Sequence, residues 1–190
     1  MTALDLIKKS ATILNVTDVL EDQSLNTITK ANSEDVLENN FALNRFFEIL
    51  KIMLHDIASE YAPITKEKVC ISDNKTISFA EFENLLKIVA VTIDKVPVRY
   101  KIYNNAIKTD FDGVFNVKYN VCPEIENLLD EIEVFDKGIG SDLLVYGVSS
   151  LYCLAVGLID EFEVYNNLYS EKLSAIKTLK VIEMPARRWE

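Results

Sequence analysis

The residues of this chain that could do acid-base or nucleophilic chemistry are few and widely spaced. There is one histidine, His55, on the polar face of a predicted helix, and there are three cysteines, Cys70, Cys122 and Cys153. A nucleophile needs an activating base within hydrogen-bond reach, and a zinc site needs closely spaced ligands. The sequence has no Cys-x-x-Cys, no His-x-x-x-His and no glycine-rich phosphate loop. We therefore predict that the protein is not an enzyme and holds no metal ion or cofactor.

Carboxylates are clustered in one acidic run after the middle of the chain. Hard cations bind clustered carboxylates, but this run lacks the pattern of an EF-hand loop. We predict an acidic loop that faces solvent or the lumen of an assembly, and a cation site remains the alternative. The residues of this run are Glu124, Glu126, Asp130, Glu131, Glu133 and Asp136.

Basic residues alternate with aromatic ones in the middle of the chain, and Arg99, Lys101 and Lys118 are predicted to form a basic strand face. Alternation places most of the aromatic rings on the opposite face, where they pack in a core and cannot stack on bases. We therefore predict an intersubunit surface that meets acidic helices of a neighbouring copy, and not a nucleic-acid site. The rings are those of Tyr100, Tyr103, Phe115 and Tyr119.

The last residues of the chain include Arg187, Arg188 and Trp189, and Trp189 is the only tryptophan. Tryptophan and arginine are the residue types that most often anchor protein interfaces. We predict that these three residues form a partner interface. Packing of Trp189 against its own domain is the alternative.

Composition and charge limit the classes of function that this protein could have. The 190 residues are 49% hydrophobic and carry a net charge of −10, which disfavours a nucleic-acid-binding protein. Residues 1–63 contain 5 basic and 10 acidic groups, residues 64–122 contain 9 and 7, and residues 123–190 contain 6 and 13. Such an uneven distribution can orient subunits or partners. The odd number of widely spaced cysteines favours a reducing compartment.

Helical periodicity occurs in the first and last thirds of the chain. Apolar residues recur at spacings of three and four over residues 3–15 and in a long helix that begins at an N-cap, Ser33, and is limited by Pro63. Residues 142–157 are apolar nearly all round, so this helix must be enclosed, and Gly157 separates it from a helix with one apolar stripe. The uncharged run is too short for a membrane span.

A period of two predicts antiparallel strands in the middle third. Apolar and polar residues alternate over 98–103 and 115–121, while Asn104-Asn105 and Asp112-Gly113 tolerate positive φ angles. We therefore predict a hairpin or a three-strand meander over residues 96–121. Further strands are predicted near residues 67–72 and 87–93.

These patterns predict an α+β fold in which a helical bundle carries an inserted antiparallel β-hairpin or meander. Residues 1–63 supply the N-terminal helices, residues 64–122 the β region, and residues 123–190 the acidic loop, the C-terminal helices and the docking tail.

Several short motifs occur in a fixed order along the chain. They are Ala11 with Ile13-Leu14, Glu60-Tyr61 before Pro63, Tyr119 four residues ahead of Pro123, Tyr146-Gly147, Tyr152-Cys153 and Arg187-Arg188-Trp189. In this order they resemble the motifs of the head-to-tail connectors, or adaptors, of tailed bacteriophages and prophages. Leu151 departs from that pattern, which has an acidic residue before the Tyr-Cys pair.

The resemblance implies a structural protein of the virion neck that is present in the host cytoplasm during assembly. It implies a homo-oligomeric ring, a dodecamer, between the portal protein and the next neck or tail protein. DNA would pass through the ring without specific binding, and no membrane is involved. One alternative is a cytoplasmic phage or prophage module that binds a host factor through the Arg187-Arg188-Trp189 tail. Another is an enzyme with a cleft built from carboxylates.

Overall fold

The computed structural model of the protein describes residues 1–132 and 139–181 and has the predicted α+β fold. The chain divides into two units. The helical unit consists of Met1–Ile57 and the segment from Glu124 onward, and the β unit is Ala58–Pro123. The β unit is therefore an insertion within the helical unit.

The helices follow the predicted order, before and after the strands. Two short 3₁₀ helices, Gln23–Asn26 and Lys30–Asn32, occupy the connection after α2. The α-helices of the described residues are α1 (Ala3–Leu14), α2 (Thr17–Leu20), α3 (Ser33–Asn39), α4 (Phe41–Asp56), α5 (Ser141–Val156) and α6 (Ile159–Val181).

Helix α1 begins at a capping box. Thr2 Oγ1 accepts a hydrogen bond from the Asp5 backbone N–H at 3.1 Å, and the Asp5 carboxylate accepts one from the Thr2 N–H at 3.1 Å. Hydrogen bonding of the Asp5 carboxylate with the Thr2 side chain, and then with the Thr2 backbone N–H, lowers the pKa of Asp5. Such a cap stabilises a helix by about 0.5–2 kcal/mol. The helix ends at Asn15, whose φ of 53° is left-handed.

The prediction of one long helix from Ser33 to Pro63 is wrong, because α3 and α4 are separated at Asn40. Asn40 is extended, with φ −121° and ψ 97°, and its side-chain oxygen accepts a hydrogen bond from the Leu43 N–H at 2.9 Å. The prediction that Ser33 is an N-cap is also wrong. Its buried hydroxyl accepts a hydrogen bond from the Leu128 N–H at 3.1 Å. The Ser33 hydroxyl, which was predicted to cap the helix, is thus bound by a residue far away in the sequence.

Helix α5 is enclosed by α1, α4 and α6, as its apolar character predicts. The rings of Phe46 and Tyr152 stack at 3.9 Å between α4 and α5. Gly147 allows a close approach, since a Cβ there would overlap the sulfur of Met53 and lie 2.9 Å from the Tyr169 ring. No helix of the described residues is long and apolar enough to cross a bilayer.

Gly157 ends α5, as predicted. Its φ of 82° is left-handed, and the Leu158 N–H donates to the Cys153 carbonyl at 2.9 Å. Helix α6 then returns along α5 with one apolar stripe, of which Leu173 and Ile176 are buried.

The strands of the β unit form two antiparallel sheets. A four-stranded sheet has the order β1-β7-β3-β4, and a three-stranded sheet has the order β2-β6-β5. The strands are β1 (Ile64–Ile71), β2 (Thr76–Ser78), β3 (Leu85–Ile93), β4 (Val96–Pro97), β5 (Tyr100–Tyr103), β6 (Ala106–Thr109) and β7 (Val114–Val121).

The predicted hairpin at Asn104-Asn105 is confirmed, with φ angles of 49° and 55° in the turn between β5 and β6. The three-strand meander is wrong, because β6 pairs with β2 and β5 while β7 lies between β1 and β3. Asp112-Gly113 lacks the predicted positive φ angles. The Asp112 carboxylate instead accepts hydrogen bonds from the Lys75 N–H at 2.5 Å and the Ser72 hydroxyl at 3.2 Å. These hydrogen bonds fix the conformation of the connection between β6 in one sheet and β7 in the other.

Alternation along β7 decides which of its side chains form the core of the β unit. Phe115, Val117, Tyr119 and Val121 are buried, and the residues between them face outward. The rings of Phe82 and Tyr119 meet edge to face at 4.8 Å. The core is completed by Cys70, Ile77, Ile88, Val91 and Ile107.

Candidate protein-binding surfaces

A groove in the β unit, here called the basic groove, brings together four cationic side chains. Its volume is about 800 Å³. Arg99 and Lys101 were predicted from the sequence to form a basic face, and the groove adds Lys75 and Lys108. Asp110 is the one acidic residue in the lining. The lining residues are Lys75, Val98, Arg99, Tyr100, Lys101, Lys108, Thr109 and Asp110.

The β5–β6 hairpin places two of these cations directly opposite each other. Lys101 pairs with Lys108 across the hairpin, two residue pairs from the Asn104-Asn105 turn. Like charges at opposed positions destabilise a strand pair, whereas opposite charges stabilise it by about 0.2–1 kcal/mol. The hairpin therefore keeps an unfavourable pair at the groove, and an anionic partner would relieve that repulsion.

Lys75 is fixed at the groove through its backbone. It has a left-handed φ of 61°, its N–H donates to the Asp112 carboxylate, and its carbonyl accepts from the Thr109 N–H at 2.9 Å. Thr109 is buried and donates its hydroxyl to the Phe111 carbonyl at 2.9 Å. A hydrogen-bonded turn and strand end thus support the groove, so the backbone that carries these cations needs little ordering on binding.

The aromatic rings near the groove differ in part from the prediction. Phe115 and Tyr119 are buried in the core, as alternation predicts, but Tyr103 is exposed. Strand β5 is at the edge of its sheet, and a period of two places Tyr103 on the same side as Arg99 and Lys101. Lys108 Nζ lies 5.9 Å from the centre of the Tyr103 ring, within reach of a cation–π contact.

Lys118, predicted to share a face with Arg99 and Lys101, lies in the other sheet. It is on β7, opposite Glu67 of β1, and its Nζ is 3.8 Å from the Glu67 carboxylate. Both side chains are about half exposed, so this ion pair contributes little to stability. The structure therefore brings Arg99 and Lys101 together and keeps Lys118 apart.

An exposed apolar patch on the four-stranded sheet was missed by the sequence analysis. Ile71 and Val114 are opposite each other on β1 and β7, and Val69 lies two residues before Ile71 on the same outward face. Their exposed fractions are 72%, 57% and 66%. The apolar residues Val69 and Ile71 flank Cys70 with a period of two, but alternation alone does not reveal which face is covered. Contiguous exposed apolar side chains of this kind mark contact surfaces.

The acidic run is partly structural. Asp130 accepts hydrogen bonds from the N–H groups of Glu126 and Asn127 at 3.1 and 2.9 Å and from Lys30 Nζ at 2.8 Å. The hydrogen bond from Lys30 holds the pKa of Asp130 below its ordinary value. Asp130 therefore stabilises the conformation of the loop that contains it.

The remaining carboxylates of the acidic run, which was predicted to be an acidic loop, differ in their surroundings. Glu126 and Glu131 are exposed, and Glu131 forms an isolated bridge with Thr2 at the start of α1. Glu124 is also exposed. Glu133 and Asp136 lie outside the described residues. Within residues 1–132 and 139–181, no three His, Cys, Asp or Glu side chains are grouped so that they could hold a metal ion.

The predicted partner interface Arg187, Arg188 and Trp189 lies outside the described residues.

The thiols and the histidine are poorly placed for nucleophilic chemistry. Burial raises the pKa of Cys70 to about 11 and also raises the pKa of Cys153, so both thiols stay protonated at neutral pH. His55 is exposed, as predicted, at a cavity of about 260 Å³ between α4, α5 and α6 that Ser150 and Asn166 also line. Among the described residues, no hydrogen bond joins His55 to Ser150. His55 therefore does not activate the Ser150 hydroxyl in this cavity.

No family model and no curated protein matches this sequence. The function is therefore inferred from the chain's own surfaces.

Proposed function

We propose that the protein is a structural adaptor of a phage neck, which forms a homo-oligomeric ring between the portal protein and the next neck or tail protein. The observation that carries this proposal is the basic groove of the β unit in a chain whose helical unit is acidic. The groove of one copy binds an acidic surface on the helical unit of the next copy.

The charges of the two units are opposite in sign. Residues 58–123 contain 9 basic and 8 acidic groups, a net charge of +1, whereas the rest of the chain contains 11 and 22, a net charge of −11. The two parts together make up the full sequence, and their net charges add to the overall −10. Complementary potentials of this kind set the register of an interface and speed encounter more than they raise affinity.

A closed ring requires two different faces on each subunit. A head-to-tail contact joins unlike surfaces, and it closes when the rotation between neighbours divides a full turn. The basic groove supplies one such face and the acidic helical unit the other. Two copies of the groove would repel each other, so a symmetric dimer through this surface is disfavoured.

The patch formed by Val69, Ile71 and Val114 supplies apolar area for the same assembly. Interfaces combine an apolar centre with a polar rim, and burying apolar surface gives about 25 cal/mol per Å². The three side chains lie on the β unit, which also carries the basic groove. We assign this patch to the contact with a neighbouring copy.

A ring with this charge suits a DNA channel. The net charge of −10 repels a passing duplex, so DNA would move through without being held. Exposed carboxylates such as Glu126 and Glu131 would serve this purpose if they face the lumen.

The proposal is tested by the mass of the protein alone and with purified portal protein, measured by mass photometry. We expect particles that are multiples of the 21.6 kDa subunit. A Lys101→Glu/Lys108→Glu variant should remain monomeric, because its groove is no longer basic. The matched control is Lys87→Glu, an exposed lysine on the other sheet, which should assemble normally.

The opposite results would contradict the proposal. Wild-type protein that stays at 21.6 kDa with portal protein present would favour the alternative, a module that binds a host factor through its tail. Equal assembly of the wild type and the double variant would show that the basic groove is not the contact.

A further inference from the structure

Exposed apolar side chains lie together at the turn between α5 and α6. Leu154 is 49% exposed, Leu158 43% and Ile159 53%. The Gly157 N–H donates to the Leu154 carbonyl at 3.3 Å, so the chain turns back beside Leu154 and keeps the next two residues close to it. Single exposed apolar residues are common, but neighbouring ones mark contact surfaces. The turn is therefore a candidate surface for a partner.

Carboxylates lie next to these apolar residues at the start of α6. Asp160 and Glu163 are exposed and three residues apart, so they share one side of the helix. Among the described residues, neither carboxylate forms a salt bridge. Residues 138–171 contain no lysine, arginine or histidine that could neutralise them locally. The name α5–α6 surface is used below for Leu154, Leu158, Ile159, Asp160 and Glu163.

The β unit carries the complementary combination of apolar and basic side chains. Its apolar patch includes Ile71, and its basic groove begins four residues later at Lys75. Between them, the Ser72 N–H donates to the Gly113 carbonyl at 3.0 Å, immediately before β7. The Asp112 carboxylate accepts hydrogen bonds from both the Ser72 hydroxyl and the Lys75 N–H. The patch and the groove are therefore neighbours on the β unit.

The acidic face of α3 lacks this combination. Its carboxylates Glu34 and Glu38 are exposed, but the apolar residues of this helix are buried. The next exposed apolar residue along the chain is Phe41, and the Arg45 guanidinium lies 4.5 Å from the centre of its ring. A positive charge at this point would repel a basic groove. Charge and exposed apolar area together therefore favour the α5–α6 surface over α3 as the counterpart of the β unit.

We infer that the α5–α6 surface of one copy binds the β unit of the next copy, an inference that rests on the proposed ring. Asp160 and Glu163 pair with the groove lysines, and a carboxylate near Lys101 and Lys108 relieves the repulsion between these two. The exposed apolar residues of the α5–α6 surface pack against the patch on the β unit. Apolar contact supplies buried area, while the charges set the register. Each subunit thus uses two different surfaces, as a head-to-tail ring requires.

The inference is tested in the full-length protein by exchanging charges between the two surfaces. In the groove variant, Lys101→Glu/Lys108→Glu, both surfaces carry carboxylates. In the α6 variant, Asp160→Lys/Glu163→Lys, both carry lysines. Each variant alone should lose assembly by about tenfold or more, because like charges meet at every contact. In an equimolar mixture the substituted groove meets the substituted α5–α6 surface and the two native surfaces meet each other, so assembly should return.

Particle mass is measured by size-exclusion chromatography with light scattering, with and without purified portal protein, and far-ultraviolet circular dichroism confirms that each variant is folded. The matched control is Glu34→Lys/Glu38→Lys, which makes the same charge change on exposed carboxylates of α3. It should assemble like the wild type and should not restore the groove variant.

Two milder substitutions test the same surface without reversing its charge. Asp160→Asn/Glu163→Gln removes both carboxylates and should weaken assembly, but it should not rescue the groove variant. Ile159→Ser removes exposed apolar area and should also weaken assembly. Its control is Ile13→Ser, at an exposed residue of α1, which should assemble normally.

The results that would overturn the inference differ from those that would overturn the proposed ring. A folded α6 variant that assembles alone, while the groove variant does not, would place the contact on another acidic surface and leave the ring intact. A mixture of the groove and α6 variants that stays unassembled would do the same. Restoration of the groove variant by the α3 control would move the contact to α3. Wild-type protein that remains a single subunit with portal protein present would remove the ring itself, and this inference with it.

Discussion

Replacing Lys101 by glutamate should make the free subunit more stable while it weakens the ring contact. In the wild type, Lys101 faces Lys108 across the β5–β6 hairpin, with no intervening residue. The substitution converts a repulsive cross-strand pair into an attractive one. The sign of the change in stability therefore tests whether Lys101 and Lys108 repel each other in the folded protein.

The magnitude follows from the register and the exposure. Opposed side chains have Cβ atoms about 4.5–5.5 Å apart, and an exposed pair of this kind changes stability by about 0.2–1 kcal/mol. For a chain of this size, 1 kcal/mol shifts Tm by about 2–4 °C. We therefore expect Tm to rise by about 0.4–4 °C at low salt. The gain should largely disappear at 1 M salt, where the screening length is about 3 Å.

The assay is thermal unfolding at low and high salt for four proteins: the wild type, Lys101→Glu, Lys101→Glu/Lys108→Glu and Lys87→Glu. The double variant restores a like-charged pair, so its Tm should return toward the wild-type value. Lys87 faces Asn120, and its substitution should leave Tm nearly unchanged. A fall in Tm for Lys101→Glu, or a rise that persists at high salt, would refute the repulsion.

Three further predictions concern the helical unit and the thiols. Gly147→Ala should destabilise the fold by about 1–3 kcal/mol in urea unfolding, because the new Cβ overcrowds the α4–α5–α6 contact; Gly140→Ala, which meets nothing within 4 Å, should change stability little. Because the folded-state pKa of Asp130 lies below its ordinary 3.8, its contribution is present above that value and lost as pH falls below it. Asp130→Asn should therefore lower stability at pH 7 and flatten its loss in acid, as measured by denaturant titrations across pH; an unchanged acid slope would contradict the assignment. Ellman's reagent should modify the half-buried Cys122 in the native protein but modify Cys70 only after unfolding, and early labelling of Cys70 would contradict its protected state.

The features that the sequence predicted correctly are local ones. Asn104-Asn105 forms its turn because both residues tolerate positive φ, and Gly157 separates α5 from α6 for the same reason. The enclosed position of α5 follows from a surface that is apolar nearly all round. Each of these features depends on neighbouring residues or on a single periodicity.

The features that sequence reasoning missed depend on contacts between distant residues. The hydroxyl of Ser33 is taken by Leu128, and Asn40 caps α4 where helical periodicity alone shows no break. The meander failed because Asp112 binds Ser72 and Lys75, which directs the chain into a different sheet.

The candidate surfaces also combine local features, which were predicted, with long-range ones, which were not. Arg99 and Lys101 are two residues apart on one stretch of chain, so their common side was predictable from a period of two. Lys75 and Lys108 join them only through the pairing of β6 with β2 and β5. Lys118 was assigned to the same face because strand order was unknown. The outward exposure of Val69 likewise depends on which face of the sheet remains uncovered.

The central claim is that the basic groove of one copy contacts the acidic helical unit of another. The most direct measurement is carbodiimide cross-linking of assembled particles made from equal parts of unlabelled and ¹⁵N-labelled protein, read by mass spectrometry. We expect mixed-isotope cross-links that join Lys101 or Lys108 to carboxylates within residues 1–57 or 124–176. Cross-links from these lysines that always pair two peptides of the same isotope would contradict the claim.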